Sequence, residues 1–382
     1  MQQNKRGSIT GSWIATIDKY ILSAIFIMVV FSIIMVTTAS PAVAERIGLP
    51  PFYFIQRQLV FLFLGLMVML SISFLSFDLI RKFAIAGFIF FLVLMVLVLF
   101  LGEEIKGARR WISLGFISIQ PSEFIKPFFA IITSSILMQR YIDPKFPAFR
   151  LSLMIYVLTI GLIILQPDLG MAITISAVWA GQMFLAGLSM IWIIVLTIGG
   201  ILGLLAAYTF LPHVTVRMNS FLDPNTSENY QVKKSVEAFM NGGIFGTGPG
   251  EGTVKQNLPD SHTDFIFAVV GEELGTIVCL LIISLFAFIV IRGLLRVMKL
   301  GDLFAMLAVS GLLMQLGFQA IINIGVTLHL FPTKGMTLPL MSYGGSSILS
   351  VSLTIGAILA LTRKRYGVRS NLHFVDINYD KK

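Results

Sequence analysis

The segment Leu258-Pro259-Asp260-Ser261-His262-Thr263-Asp264-Phe265 opens a run that stays apolar to residue 291, apart from Glu272 and Glu273. That run exceeds the ~20 residues needed to cross the hydrocarbon of a bilayer, so the segment predicts a membrane fold. Asp264 stands where polar chain meets hydrocarbon. An ionisable group at such an edge resists losing water unless something stabilises its charge, which makes it a functional candidate by default.

Composition carries the membrane reading to the rest of the chain. The 382 residues are 56% hydrophobic and 12% charged, with a mean hydropathy of +0.89, more apolar surface than one soluble core can bury. Ten apolar runs read as spanning helices: 20–39, 59–77, 83–101, 123–138, 151–165, 171–188, 191–211, 265–291, 303–328 and 347–362. The expected fold is therefore an all-α integral membrane protein of about ten transmembrane helices. Residues 1–367 form one polytopic domain, with one large extracytoplasmic loop over 212–264 and a short cytoplasmic tail over 368–382. A polar N-terminal stretch before a long apolar run reads as a signal anchor that is retained.

The net charge of +9 does not point to nucleic acid, because the basic residues sit in short clusters between apolar runs. Placing both termini inside puts 17 of the 28 basic residues there and only six of the 19 acids. Both termini are therefore expected to be cytoplasmic. The single cysteine, Cys279, lies in an apolar run and has no partner for a disulfide.

Cations on the opposite face depart from this grammar. Lys106, Arg109 and Arg110 fall in a short outer link, where basic residues are disfavoured, and Lys233, Lys234 and Lys255 in the large loop. After the link, Pro121 suits a helix's first turn, and Glu123 and Lys126 share one helical face. They make either a structural ion pair or part of a cationic mouth. In the second reading Arg109, Arg110 and Lys126 grip a phosphate-bearing ligand, with Trp111 at the interface, since arginine's planar fork suits phosphate oxygens. Asp168, in Gln166-Pro167-Asp168-Leu169-Gly170, either forms a turn or joins that site.

The large loop contains Arg217 and a glycine-rich run over 242–252. That run is weak as a nucleotide site, because no strand–turn–helix frame or Gly-Lys-Ser/Thr accompanies it. A flexible re-entrant hinge fits it better. Residues 232–240 read as a short amphipathic helix on the outer surface. On one continuous helix Glu272 and Glu273 would lie ~12 and ~13.5 Å beyond Asp264 and point in other directions, so no metal cluster is expected. His262 is a candidate donor to Asp264, but without a placed Ser or Cys it forms no triad. A general base suits Asp264 better. The last outer link, 332–347, carries Lys334, Ser342, two prolines and paired glycines, irregular backbone that belongs beside a protein-enclosed cavity. Gln319 and Asn323, one turn apart, face that link as either helix glue or site residues.

Four motifs in this order resemble the SEDS family of bacterial cell-wall polymerases. They are Gly107-Ala108-Arg109-Arg110-Trp111 with Gln120-Pro121-Ser122-Glu123; Gln166-Pro167-Asp168-Leu169-Gly170; His262-Thr263-Asp264-Phe265 with Glu272-Glu273-Leu274-Gly275; and Ser342-Tyr343-Gly344-Gly345-Ser346-Ser347. Pro332-Thr333-Lys334-Gly335 and Leu258-Pro259-Asp260-Ser261-His262 resemble the division branch more than the elongation branch. Lys234 and His329 depart from the residues common there, glutamine and glycine. The resemblance implies a glycosyltransferase that joins lipid II into glycan strands outside the inner membrane at the division septum. Asp264 would be the base. Arg109, Arg110, Trp111, Glu123, Lys126, Asp168, Arg217, His262, Lys334 and Ser342 would bind substrate, with a divalent ion, magnesium or manganese, as an optional companion of the pyrophosphate. Implied partners are a class B penicillin-binding protein and other division membrane proteins. A lipid flippase and a non-catalytic division scaffold are the rival readings.

Overall fold

A computed structural model describes residues 9–105, 108–113, 115, 118–210, 214–216, 218–219, 227–332 and 335–363. The expected tail over 368–382 lies outside the described residues, as do Lys106, Arg217 and Lys334. Helices α1 (Ile9–Thr16), α2 (Lys19–Arg46), α3 (Tyr53–Ser73) and α4 (Phe77–Leu101) lead into strands β1 (Glu103–Ile105), β2 (Ala108–Ser113) and β3 (Ser118–Ile119). Then follow α5 (Pro121–Ile142), α6 (Ala148–Leu165), α7 (Leu169–Leu185), α8 (Met190–Phe210), α9 (Ser227–Gly242), α10 (Ile266–Met298), α11 (Leu303–Thr327) and α12 (Gly345–Leu361).

Each of the ten expected runs falls on a helix. Among the described residues, seven helices are long and apolar enough to cross a membrane: α2, α3, α4, α6, α8, α10 and α11. Helices α7 and α12 are apolar but have only 17 residues each, while α5 carries Glu123, Lys126 and Arg140. The chain is a multi-pass membrane protein. Despite those charges α5 is among the best covered helices, since every residue from Pro121 to Thr133 is buried. Helix α5 packs against α4, α6, α7, α11 and α12, and α12 lies along α3. By contrast α8 buries none of its span. Exposed Ile, Leu, Val and Phe side chains on α3, α4, α6 and α8 give those helices surfaces suited to lipid.

Three local features differ from what the sequence predicts, the first of them from an all-α fold. Residues 103–119 form an antiparallel sheet in the order β1-β2-β3, in which Glu104 pairs with Arg109 and Ile112 with Ile119. Ile105, Trp111, Ile112 and Ile119 favour strands, and Gly115 supplies the positive φ of the turn. Helix α9 is amphipathic but does not merely rest on a surface: Val232, Ser235 and Ala238 are buried, and Ser235 Oγ donates to Thr327 O at 2.7 Å. The third difference is a break in α10 at Gly275, with φ 78° and ψ 177°. The glycine-rich run, expected as a hinge, packs into that break. Thr247 and Gly248 N–H donate to Glu272 and Glu273 O, and Thr276 N–H donates to Gly243 O, at 2.9–3.0 Å. Carbonyls released by a helix break at membrane depth need such partners. Gly246 makes the approach feasible, since a Cβ there would lie 2.2 Å from Glu273 O.

Candidate active site

Asp264 lies in the turn immediately before α10, so the assumption of one continuous helix from Asp264 to Glu273 does not hold. Asp260 adopts φ 54°, and its carbonyl accepts from Thr263 and Phe265 N–H at 3.1 and 3.2 Å. This short turn leaves Asp264 half-buried. Its backbone is then fixed from two other elements. Asn323 of α11 donates through Nδ2 to both Asp264 O, at 2.8 Å, and Met336 O, at 2.7 Å. Tyr343 N–H donates to His262 O at 2.9 Å. A Cβ on Gly335 would sit 3.5 Å from Asp264 Oδ2, so the carboxylate faces the link that precedes α12.

The opposite end of the same network is Lys126. Its ammonium is buried, pairs with Glu123 Oε2 at 2.9 Å and donates to Gln319 Oε1 at 2.9 Å. The Glu123 contact is an ion pair without the alignment of a hydrogen bond. Gln319 Nε2 continues to Thr337 O at 3.1 Å, and Thr337 Oγ1 meets Ser347 Oγ at 2.6 Å. Gln319 and Asn323 are one turn apart on α11, so a single helix face joins the Lys126 pair to the Asp264 turn. The stripe acts as helix glue, joining α5, the Asp264 turn and the link before α12.

The two arginines have separate duties. Successive strand residues point to opposite faces, and Arg109 is exposed beside Glu104 at 3.4 Å. Arg110 is largely covered: Nε donates to Gln166 O at 2.8 Å, Nη2 to Pro167 O, and Nη1 lies 3.5 Å from Asp168. Asp168 also caps α7 by accepting from Met171 N–H at 3.2 Å. Arg110 and Asp168 therefore tie β2 to the α6–α7 turn. Trp111 is half-buried on β2. Ser342 Oγ closes a turn by accepting from Leu338 N–H at 2.8 Å.

His262 is buried between the rings of Phe54 and Tyr343, at centroid distances of 4.4 and 5.3 Å. Burial pushes its pKa down from the usual 6.5 to about 4. Nδ1 of His262 and Oδ1 of Asn323, both near the Asp264 turn, are buried without a hydrogen-bond partner among the described residues. Polar groups in that condition are costly unless a ligand or water satisfies them.

Sequence reasoning missed the buried support behind this turn. Glu272 accepts from Val254 N–H at 2.7 Å, Asn241 Nδ2 at 2.9 Å and Lys255 N–H at 2.9 Å. Glu273 pairs with the Lys255 ammonium, which also donates to Thr38 O at 3.0 Å and Gly250 O at 3.1 Å. The signal was present: two acids in an apolar run, followed by a glycine, mark a helix break that needs polar partners. Lys255, read from sequence only as a cation of the large outer loop, is one of them. Among the described residues no three His, Cys, Asp or Glu side chains are placed to share a metal ion.

Fold and site together define a multi-pass membrane protein with one polar seam between α5, α10, α11 and the link before α12. A family model described as cell cycle protein, covering FtsW, RodA and SpoVE, matches residues 18–367. A probable peptidoglycan glycosyltransferase FtsW of Caulobacter vibrioides is 39% identical over 358 residues, spanning 94% of this chain and 92% of that protein. The protein of the same description from Coxiella burnetii is 36% identical, spanning 94% and 98%. Among solved structures, a chain from work on structural coordination of polymerization and crosslinking by a peptidoglycan synthase complex matches with a TM-score of 0.76 and 28% identity, covering 91% of this chain and 97% of that one. The rod shape determining protein RodA of Thermus thermophilus matches with a TM-score of 0.68 and 27% identity, over 92% and 98%. The chain belongs to the FtsW/RodA/SpoVE family.

Proposed function

We propose that this protein is a peptidoglycan glycosyltransferase that polymerises lipid II into glycan strands at the outer face of the inner membrane, during septal synthesis. Its relatives bear that enzyme's name. The observation that carries the reading is the held Asp264 carboxylate: its backbone is tied to α11 through Asn323, and its side chain faces Gly335 across the seam. We place the ten helices that carry the expected apolar runs, α2 to α8 and α10 to α12, across the membrane, both termini in the cytoplasm and Asp264 outside.

In this reading the 4-hydroxyl of the acceptor sugar gives its proton to Asp264 as its oxygen attacks the anomeric carbon of the donor. The bond from that carbon to the pyrophosphate breaks, and the configuration inverts. Arg109, exposed at the mouth, stabilises the negative charge on the leaving group. From sequence, Arg217 is assigned to the same task and Lys334 to substrate binding. Buried Lys126 holds α5 against α11, and through Gln319 it braces the link facing Asp264. A divalent ion would rest chiefly on the pyrophosphate, because the described residues assemble no ligand set for it. A class B transpeptidase held in the same membrane is the proposed partner, in keeping with the synthase complex to which the chain is similar.

The test is purified protein with labelled lipid II, alone and with the transpeptidase. Asp264→Asn should lose at least about 100-fold in strand formation. Equal strands from the Asn variant would remove the base assignment. Lipid transfer across vesicles without strands, from wild type with its partner, would favour a flippase.

A further inference from the structure

At the end of α10 remote from Asp264, a cavity of about 620 Å³ opens between the α1–α2 junction, α10 and the end of α12. Arg292, Arg296 and Lys299 line it, with Asp18 as its one carboxylate, so three cations face one anion. Arg296 is committed to the fold: it pairs with Asp18 at 2.8 Å and donates to Thr16 O and Thr362 O. Arg292 differs. Only its Nε–H reaches an acceptor among the described residues, Asp18 at 2.9 Å, and its side chain remains 33% exposed. The guanidinium lies over the Tyr20 ring, 4.3 Å from the centroid. Lys299 is exposed.

The spacing of the remaining lining residues suggests the ligand. Phe288, Ile291 and Leu295 recur at helical spacing along the face that carries Arg292 and Lys299, and all three are exposed. A net positive cleft at one end of an exposed apolar stripe matches an anionic head group with its acyl chains beside it, not a free anion. The chain's own residues 364–382 suit the cleft less well, because they carry Lys364, Arg365, Arg369, Lys381 and Lys382 against Asp376 and Asp380. We propose that this cleft binds the phosphodiester of an anionic phospholipid from the leaflet at this end of α10, with Arg292 and Lys299 on the phosphate and Phe288, Ile291 and Leu295 along an acyl chain. Basic pockets between membrane helices are suited to such head groups. The site does not depend on the glycosyl-transfer reading.

Full-length protein in a zwitterionic detergent is titrated with phosphatidylglycerol, phosphatidylcholine or inorganic phosphate, and bound lipid is counted by native mass spectrometry. One tightly retained phosphatidylglycerol is expected, with neither phosphatidylcholine binding nor displacement by millimolar phosphate. Arg292→Gln and Lys299→Gln should each weaken it by roughly five-fold, about the effect of one basic residue near an anionic lipid surface. Lys299→Arg should restore it. Lys299 stands clear of the Asp18 cluster, so its variants remain informative if Arg292→Gln misfolds. Equal binding of both lipids, unchanged binding by Lys299→Gln, or displacement by phosphate would overturn the proposal. Lipid binding that appears only after deletion of 364–382 would also overturn it, by making the tail the occupant.

Discussion

Lys126 is 2% exposed and Glu123 6%, so each depends on the other to offset a large desolvation cost. Removing one partner of a buried pair is more damaging than removing both. Lys126→Met should therefore cost about 3–5 kcal/mol, and Glu123→Gln combined with Lys126→Met should regain much of it. Melting curves of the purified variants decide this, and a double variant no better than Lys126→Met would count against a mutually dependent pair. His262 makes a pH prediction. The unfolded chain binds the histidine proton below 6.5 and the folded chain only below about 4, so the folded state is the poorer proton binder between those values. Its contribution to stability is whole above pH 6.5 and declines as pH falls toward 4. The melting temperature should drop across that window, and His262→Gln should flatten part of the drop. A slope indifferent to the substitution would assign it to other groups.

At the scale of elements, the glycine-rich run and the α10 break are one structure. Gly246 adopts φ +83° and touches the Glu273 carbonyl, whereas Gly161 on α6 has open space where a Cβ would go. Gly246→Ala should cost about 3 kcal/mol through strain and displaced backbone, while Gly161→Ala should be neutral or stabilise by up to about 1 kcal/mol. Thermal denaturation of the two variants side by side separates a packed seam from a hinge, because a hinge would tolerate both. The helices themselves were legible, since apolar runs announce themselves at any spacing. The β1-β2-β3 sheet was not, because its strands are only two to six residues long and its register joins residues across a turn. The docking of α9 was half legible: its amphipathic period showed an apolar face, but not that α10 would cover it.

For the whole molecule, the proposed orientation makes Glu251 and Lys145 face opposite compartments, and both are exposed. In a Cys279→Ser background, a membrane-impermeant maleimide applied to intact spheroplasts should label Glu251→Cys and spare Lys145→Cys until the membrane is opened. Reversed labelling would invert the topology and place Asp264 inside. Such a result would be fatal to outer-face polymerisation, whatever the chemistry of the seam.

The sequence by itself determined membrane residence, the positions of the helices, the family and the suspicion attached to Asp264. These follow from composition, local runs and short motifs. Only the tertiary structure decided that Lys126 is a buried brace, that Arg109 is exposed while Arg110 is a tie, and that Asn323 fixes the Asp264 turn. The physical reason is separation along the chain. Lys126 and Gln319 are 193 positions apart, and Asn323 and Asp264 are 59 apart. No helical or strand period spans such distances, so packing alone selects the polar partners.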